Sequence, residues 1–287
     1  MAFRWIMALL VGIFAVSAQD ATPSAAARDR ATAALKAGNM TNAISIISDA
    51  LRADPKDARL WNFRAQLRSL AGDPSGAVTD LSEGIRMNPS SGFLHQDRAI
   101  ERFKMGQSAE SLTDFDRANE LNPEIVPYNW QRGIALYYGK RYADGRKQFE
   151  LHRAVNPNDV ENAVWHFLCV ARAEGTNTAH KVFMDISSDE RIPMAEIHEL
   201  YGGEAPASEV WEAATAVTGS SEQQRQARFY AQLYLGLHAD VLGRNDEARD
   251  HLKQAVALAS PRDFMGHVAR FHFSRLGSQP AADITKP

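Results

Sequence analysis

The segment AEIHELY brings Glu196, His198 and Glu199 within four residues, the most suggestive cluster of acid–base groups in the chain. A carboxylate and an imidazole can exchange protons with a substrate when they meet in a cleft. On a helix, however, Glu196 and Glu199 share a face and His198 points elsewhere, so the spacing fits the polar side of a short helix better. The nine histidines (His95, His152, His166, His180, His198, His238, His251, His267 and His272) form no His-Glu-x-x-His or other compact ligand spacing. His267 and His272 are five apart, off a common helical face. There is no glycine-rich phosphate loop and no Gly-x-Ser-x-Gly elbow. Cys169 is the single cysteine, so no intramolecular disulfide can form, and its neighbours in AVWHFLCVARA make it a small buried hydrophobe. The expectation is a chain with no catalysis, no cofactor and no metal of its own. The alternative is an enzyme or regulatory domain using the Glu196, His198 and Glu199 region.

Composition narrows the choice further. The 287 residues are 45% hydrophobic and 23% charged, ordinary material for one large domain or two modest ones. Lys plus Arg number 32 against 35 for Asp plus Glu, which leaves no basic footprint for nucleic acid. At the start, MAFRWIMALLVGIFAVSAQDA carries Arg4, an apolar run from Trp5 to Val16 and the small residues Val16-Ser17-Ala18. This is the layout of a signal peptide, 1–18, with cleavage after about Ala18. The run falls short of the roughly 20 residues that cross a bilayer core. The mature chain is thus expected to be exported, to the periplasm or cell envelope, with no transmembrane segment.

What must position any functional residue is a repeat. Pro55, Pro89, Pro123 and Pro157 recur every 34 residues, in RADPKD, RMNPSS, ELNPEI and AVNPND. Gly38, Gly72 and Gly106 keep the same period, and Gly139 arrives one residue early. Ala31, Ala65, Ala99 and Gly133 form a small-residue column, and Ile47, Leu81, Phe115 and Phe149 a bulky one. Each column has a mechanical reason. The small residue lets a second helix approach the first, and the bulky one fills the space between them. The Gly ends the first helix in a left-handed turn, and the Pro stops the second. Such helix pairs bury their apolar faces only by stacking on one another.

This pattern resembles the tetratricopeptide repeat family, which implies an all-α, right-handed helical-repeat solenoid. Four regular units span 24–159, and a degenerate unit, 160–193, keeps Ala179 and Phe183 in register. A helical insertion, 194–228, holds two short helices, Met194–Tyr201 and Ser208–Val217, with Ser208 as N-cap. A further unit, 229–262, places Gly236, Gly243, Ala248, Leu252, Ala255 and Pro261 in their columns. A C-terminal helix, 263–276, caps the end of the stack, before a loose tail, 277–287. From Tyr128 to Gly277, the order NPNDVENAVWHFL, insertion, FYAQLYLGLHADVLGRNDEARDHLKQAVA and HVARFHFSRLG is similar to NlpI-type cell-envelope lipoproteins. That resemblance implies an adaptor bringing envelope proteases or peptidoglycan hydrolases to substrates. Those lipoproteins carry lipid on an N-terminal Cys, which has no counterpart here, so membrane anchoring is not carried over.

Projecting the family's inward-facing positions onto the first helices selects a concave face. It comprises Arg28 and Thr32, then Asn62, Gln66 and Ser69, then Gln96, Ile100 and Phe103, then Trp130, Ile134 and Tyr137, with Tyr138 beside them. Asn62, Gln66 and Gln96 could hydrogen-bond an extended peptide, while Phe103, Trp130, Tyr137 and Tyr138 would be apolar anchors. Arg28, Thr32, Phe63 and Gln96 do not match the family's clamp for chaperone carboxylates. Arg30, Arg64, Arg98 and Arg132 also keep the period, with Asp80 and Asp114 in second helices. They read as ion pairs between packed helices rather than as a ladder for an acidic ligand. The expected partner is a protein or peptide, or a second copy of the chain; a purely structural envelope module is a further reading.

Overall fold

The computed structural model describes residues 22–278; the expected leader lies outside them, as do residues 279–287. The described chain is helical throughout. Helices α1 (Pro23–Lys36) and α2 (Met40–Ala53) form the first pair, α3 (Ala58–Leu70) and α4 (Pro74–Met87) the second, and α5 (Gly92–Lys104) and α6 (Ser108–Leu121) the third. A 3-10 turn (Pro123–Tyr128) leads into α7 (Trp130–Tyr138) and α8 (Tyr142–Val155). Then come α9 (Val160–Glu174), the short α10 (Thr176–Lys181), α11 (Met194–Gly202) and α12 (Ala207–Thr215). The long α13 (Ser221–Val241), α14 (Asn245–Leu258) and α15 (Phe264–Ser278) complete the chain.

The repeated turns explain the glycine column. Gly38, Gly72 and Gly106 have φ of 76°, 79° and 77°. In each case the next residue's N–H reaches back to a carbonyl five residues earlier, at 2.9 Å from Asn39 to Ala34, Asp73 to Arg68 and Gln107 to Arg102. This satisfies carbonyls that the helix end would otherwise leave open. In the fourth unit, Arg141 makes the same bond to Leu136, and the left-handed residue is Lys140, with φ 59°. The glycine has slipped by one position and the geometry has not. Asn39, Asp73 and Ser91 cap the following helices through their side chains.

The small and bulky columns meet as their volumes require. Ala31, Ala65, Ala99, Ile47, Leu81, Phe115 and Phe149 are all at most 2% exposed. A Cβ on Gly133 would lie 2.5 Å from Phe149 Cζ, and one on Gly236 2.7 Å from Leu252 Cγ. The larger side chain thus demands the missing one. The largest core runs continuously from Ala99 to Ala269, and two smaller clusters serve the first two units.

The second half departs from the expected frame. Pro206, not Ser208, precedes α12, with no side-chain cap, so Ser208 lies within the helix. Helix α13 begins at Ser221, within the expected insertion, because Ser220 and Gln223 close a capping box there. The degenerate unit has only a stub of a second helix, α10, and Phe183 follows it. The segment after α10 is held by Arg191, which bonds Asp159 at 2.8 Å, Glu161 at 2.5 Å and Asp189 at 2.5 Å. Gly277 and Ser278 belong to α15 rather than to the tail. That helix caps by lying across the inner face of the third and fourth units, where it packs on α5. Among the described residues no helix is long and apolar enough to cross a membrane.

Candidate functional site

Helix α15 packs over part of the expected concave face, against Phe103, Trp130 and Tyr138. Phe264 stacks on Phe103 at 5.1 Å and meets Trp130 edge-on at 5.2 Å. Phe271 lies 5.7 Å from Phe103 and 4.9 Å from Tyr138. Phe103, Tyr137 and Tyr138 are 1%, 6% and 4% exposed. As open anchors for a partner these three are corrected: they are core residues here, Phe103 and Tyr138 because the aromatic side chains of α15 cover them, and Tyr137 because Tyr142 and Trp165 pack on it at 5.6 Å and 5.4 Å. Trp130 is half-buried beneath Phe264, Ile134 is fully buried and Ile100 packs at the edge of the core.

A polar chain fastens α15 in place. His272 Nδ1 meets the Tyr138 hydroxyl at 2.9 Å, and His272 Nε2 meets Asp240 Oδ2 at 3.1 Å. Asp240 also accepts from Arg172, which reaches Tyr137 Oη at 3.3 Å. Burial alone would raise the Asp240 pKa, but the bonds and charges of His272 and Arg172 hold it below the usual carboxylate range. The same burial pushes Tyr138 well above an ordinary phenol. Arg275 Nη1 adds a bond to the Tyr138 carbonyl at 3.3 Å.

The expected inner positions of the second and third units take no part in these aromatic contacts. Gln66 is exposed, and Asn62 and Gln96 are half-buried. None of the three side chains bonds to another described residue, and Asn62 Oδ1 is sequestered without a partner. Arg28 Nε is likewise buried without a partner, and Thr32 turns back to the Arg28 carbonyl at 2.8 Å. Ser69 donates to Glu101 Oε1 at 2.7 Å. At this end a cavity of about 260 Å³ opens between α3, α5 and the start of α15, bordered by Ser69, Glu101, Lys104 and Arg270.

Sequence reasoning missed Glu101 and Asp97 in this region, although a signal was present for Glu101. It falls in the apolar column of Ala33, Leu67 and Ala135. A charge that breaks an apolar column has a reason to be there.

The other chemical candidates resolve differently. His198 Nε2 faces the Met184 carbonyl at 2.9 Å, and its ring stacks on Phe183 at 4.7 Å. Neither Glu196 nor Glu199 bonds to it, so the structure does not bring the three together. Cys169 is fully buried, and that burial pushes its thiol well above the ordinary range. Among the described residues no group of three or more His, Cys, Asp or Glu side chains is placed to hold a metal ion. Arg64 and Arg98 pair with Asp80 and Asp114, each at 2.7 Å. Arg30 is exposed and makes no ion pair, since Ile46 stands where its aspartate would be.

Comparison with known proteins accords with this geometry. Residues 28–91 match the family model described as tetratricopeptide repeat. No curated protein matches the sequence. Among solved structures, a tetratricopeptide repeat protein from Parabacteroides merdae is similar with a TM-score of 0.58 and 13% identity, over 88% of this chain and 98% of that one. PilW, described as a type IV pilus biogenesis factor, gives 0.51 and 17% over 82% of this chain and 92% of its own. MamA gives 0.52 and 15% over 63% of this chain and 94% of its own. Residues 28–91 thus resemble tetratricopeptide repeats, and the described residues have the fold of a right-handed tetratricopeptide-repeat solenoid.

Proposed function

We propose that the protein is a non-catalytic scaffold or adaptor of the cell envelope, taking an extended protein or peptide segment on the part of its concave face outside the α15 contacts. One observation carries this reading: Asn62, Gln66 and Gln96, on successive inner helices, make no hydrogen bond within the chain. Gln66 is exposed and Asn62 and Gln96 are half-buried, so the unbonded amides of these three could pair with a peptide backbone after small side-chain rotations. The envelope assignment rests on the N-terminal segment 1–18, and recruitment of proteases or peptidoglycan hydrolases rests on the resemblance to NlpI-type lipoproteins. The burial of Phe103 and Tyr138 favours, as a second reading, a structural module whose concave face is closed by its own α15.

The test is a crosslinking pull-down from native envelope extract, with the mature chain and an Asn62→Ala, Gln66→Ala, Gln96→Ala variant as baits. Capture of a protease or cell-wall hydrolase by the wild type, lost in a variant with unchanged helicity, supports the adaptor. Equal capture by both baits moves the site elsewhere, and no specific capture favours the structural module.

A further inference from the structure

Helix α15 does more than cover the last unit. It packs along α14, where the Arg249 guanidinium lies 5.5 Å from the Phe273 ring. Met265, Val268, Ala269 and His272, spaced i, i+3, i+4 and i+7, form one face and are at most 5% exposed. Covering the apolar side of α14 is all that the end of a stack requires.

Phe264, Phe271 and Arg275, at i, i+7 and i+11, form a second stripe that such a cover does not need. The two Phe rings rest on Phe103, Trp130 and Tyr138 at separations of 4.9 to 5.7 Å. Arg275 lies over the Tyr138 ring at 5.9 Å and over Phe271 at 5.7 Å. Phe103 and Tyr138 are almost wholly enclosed, whereas Phe264 and Phe271 are only half-buried, so the cover over this aromatic cradle is thin. His272, one residue beyond Phe271, pairs with the Tyr138 hydroxyl and Asp240 at the edge of the cradle.

The segment is built to be docked rather than to stand alone. Residues 259–263 join it to α14 without helix. A Cβ on Gly266 would stand 2.5 Å from the Ser260 carbonyl, so the helix passes this joint at a distance that only glycine allows. Gly266 and Gly277 also weaken a 15-residue helix that is marginal away from the stack. Its shape therefore depends on side-chain contacts that another helix of the same chemistry can reproduce.

We propose that α15 is an autoinhibitory strap: it holds in cis a cradle of Phe103, Trp130 and Tyr138 that receives, once the strap lifts, a partner helix with aromatic side chains at i and i+7 and a hydrogen-bonding group at i+8. The cradle is a different surface from Asn62, Gln66 and Gln96, so the strap goes beyond the reading above and does not rest on it. A strap tethered by five residues competes at an effective concentration in the roughly millimolar range, which keeps weak helices out. An acidic or purely aliphatic helix lacks the rings that fill the cradle.

The experiment is a fluorescence-polarisation titration whose probe is a fluorescein-labelled, amidated peptide of residues 262–278. Its receptors are the full mature chain and a Phe264→Ala, Phe271→Ala variant, which weakens the strap and leaves the cradle intact. The probe is expected to bind the variant about tenfold or more tighter than the wild type, and a peptide with both Phe replaced by Ala to bind neither. Hydrogen exchange of the variant should show protection of α5 and α7 regained when the probe is bound. Equal binding to both receptors, equal binding of the Ala peptide, or no binding by a variant of unchanged helicity overturns the proposal. If the double variant does not fold, Arg275→Ala carries the same test with an expected gain of about threefold, and no gain there overturns it as well. A wild type whose mass doubles with concentration as α15 exchanges between copies assigns the cradle to a second copy and overturns the strap. The pull-down with Asn62, Gln66 and Gln96 replaced reads the other surface, so either proposal can fail alone.

Discussion

Arg132 Nη2 donates to Asp116 Oδ1 at 2.7 Å, 16 residues behind it, whereas in the preceding unit Arg98 Nη2 donates to Asp114 Oδ1 at 2.7 Å, 16 residues ahead of it. In the second, third and fourth units an inner-helix Arg lies between two outer helices. Arg64 and Arg98 find Asp ahead and Ser behind, with Nη1 to Ser48 at 3.0 Å and to Ser82 at 3.1 Å. Arg132 finds Asp116 behind and Gln148 ahead, at 3.0 Å. The carboxylate has changed sides of the guanidinium and the pairing has survived.

Asp116→Ser is accordingly expected to cost about 1–2 kcal/mol, since the pair is partly exposed, and adding Gln148→Asp should restore most of it. Asp80→Ala is the harsher change, because Asp80 is 0% exposed and serves both Arg64 and Arg68. It should cost about 3–5 kcal/mol by leaving cations unpaired in the interior. Urea unfolding of the three variants checks the order; a double variant no better than Asp116→Ser would refute the exchange.

The fourth turn offers a change in the other direction. Lys140 holds a left-handed φ of 59° where four other units have glycine, Gly38, Gly72, Gly106 and Gly243. Lys140→Gly should stabilise the protein by up to about 1 kcal/mol, because a Cβ in that conformation is strained. Gly133→Ala should destabilise by about 1–3 kcal/mol through overpacking, as its Cβ would stand 2.5 Å from Phe149. Thermal melts that ranked both variants with the wild type would sink both arguments.

Local structure was legible in the sequence because it is repeated. Pro55, Pro89 and Pro123 mark unit boundaries by a steric rule that holds wherever the residue stands. Even the slipped Gly139 was visible, although only the backbone shows that Lys140 takes the turn. The partly closed groove was not legible. Phe264 and Phe271 belong to no repeat column, and their contacts with Phe103 join positions more than 160 residues apart in sequence. A period predicts neighbours along the stack; it contains no term for the last helix folding back across the third and fourth units. The amides of the groove could be named from their columns, whereas the charges beneath them needed burial to give them meaning.

His272 is where that fold-back can be loosened with least damage. His272→Ala leaves the Tyr138 hydroxyl without its partner and Asp240 with Arg172. The expected cost is about 1–3 kcal/mol, that of an orphaned buried polar group. Hydrogen exchange should show protection lost first in α15, with the helices of the first two units unchanged. Uniform loss across the chain would mean that α15 does not open separately from the rest.

Asp97 gives a pH dependence whose sign is fixed. Its carboxyl has a pKa of about 7 in the fold against 3.8 for an ordinary aspartate, so between those values the folded state binds more protons than the unfolded one. Stability contributed by this group is therefore present at pH 4 and declines as pH rises toward 7. Asp97→Asn does not titrate and escapes the decline. Relative to wild type it should be about equal at pH 4 and more stable at pH 8 by about 1–2 kcal/mol, less than unscreened linkage gives because the carboxylate is reachable by solvent. The measurement is urea unfolding of both proteins at each pH, and a difference that stays flat would show Asp97 to be matched already.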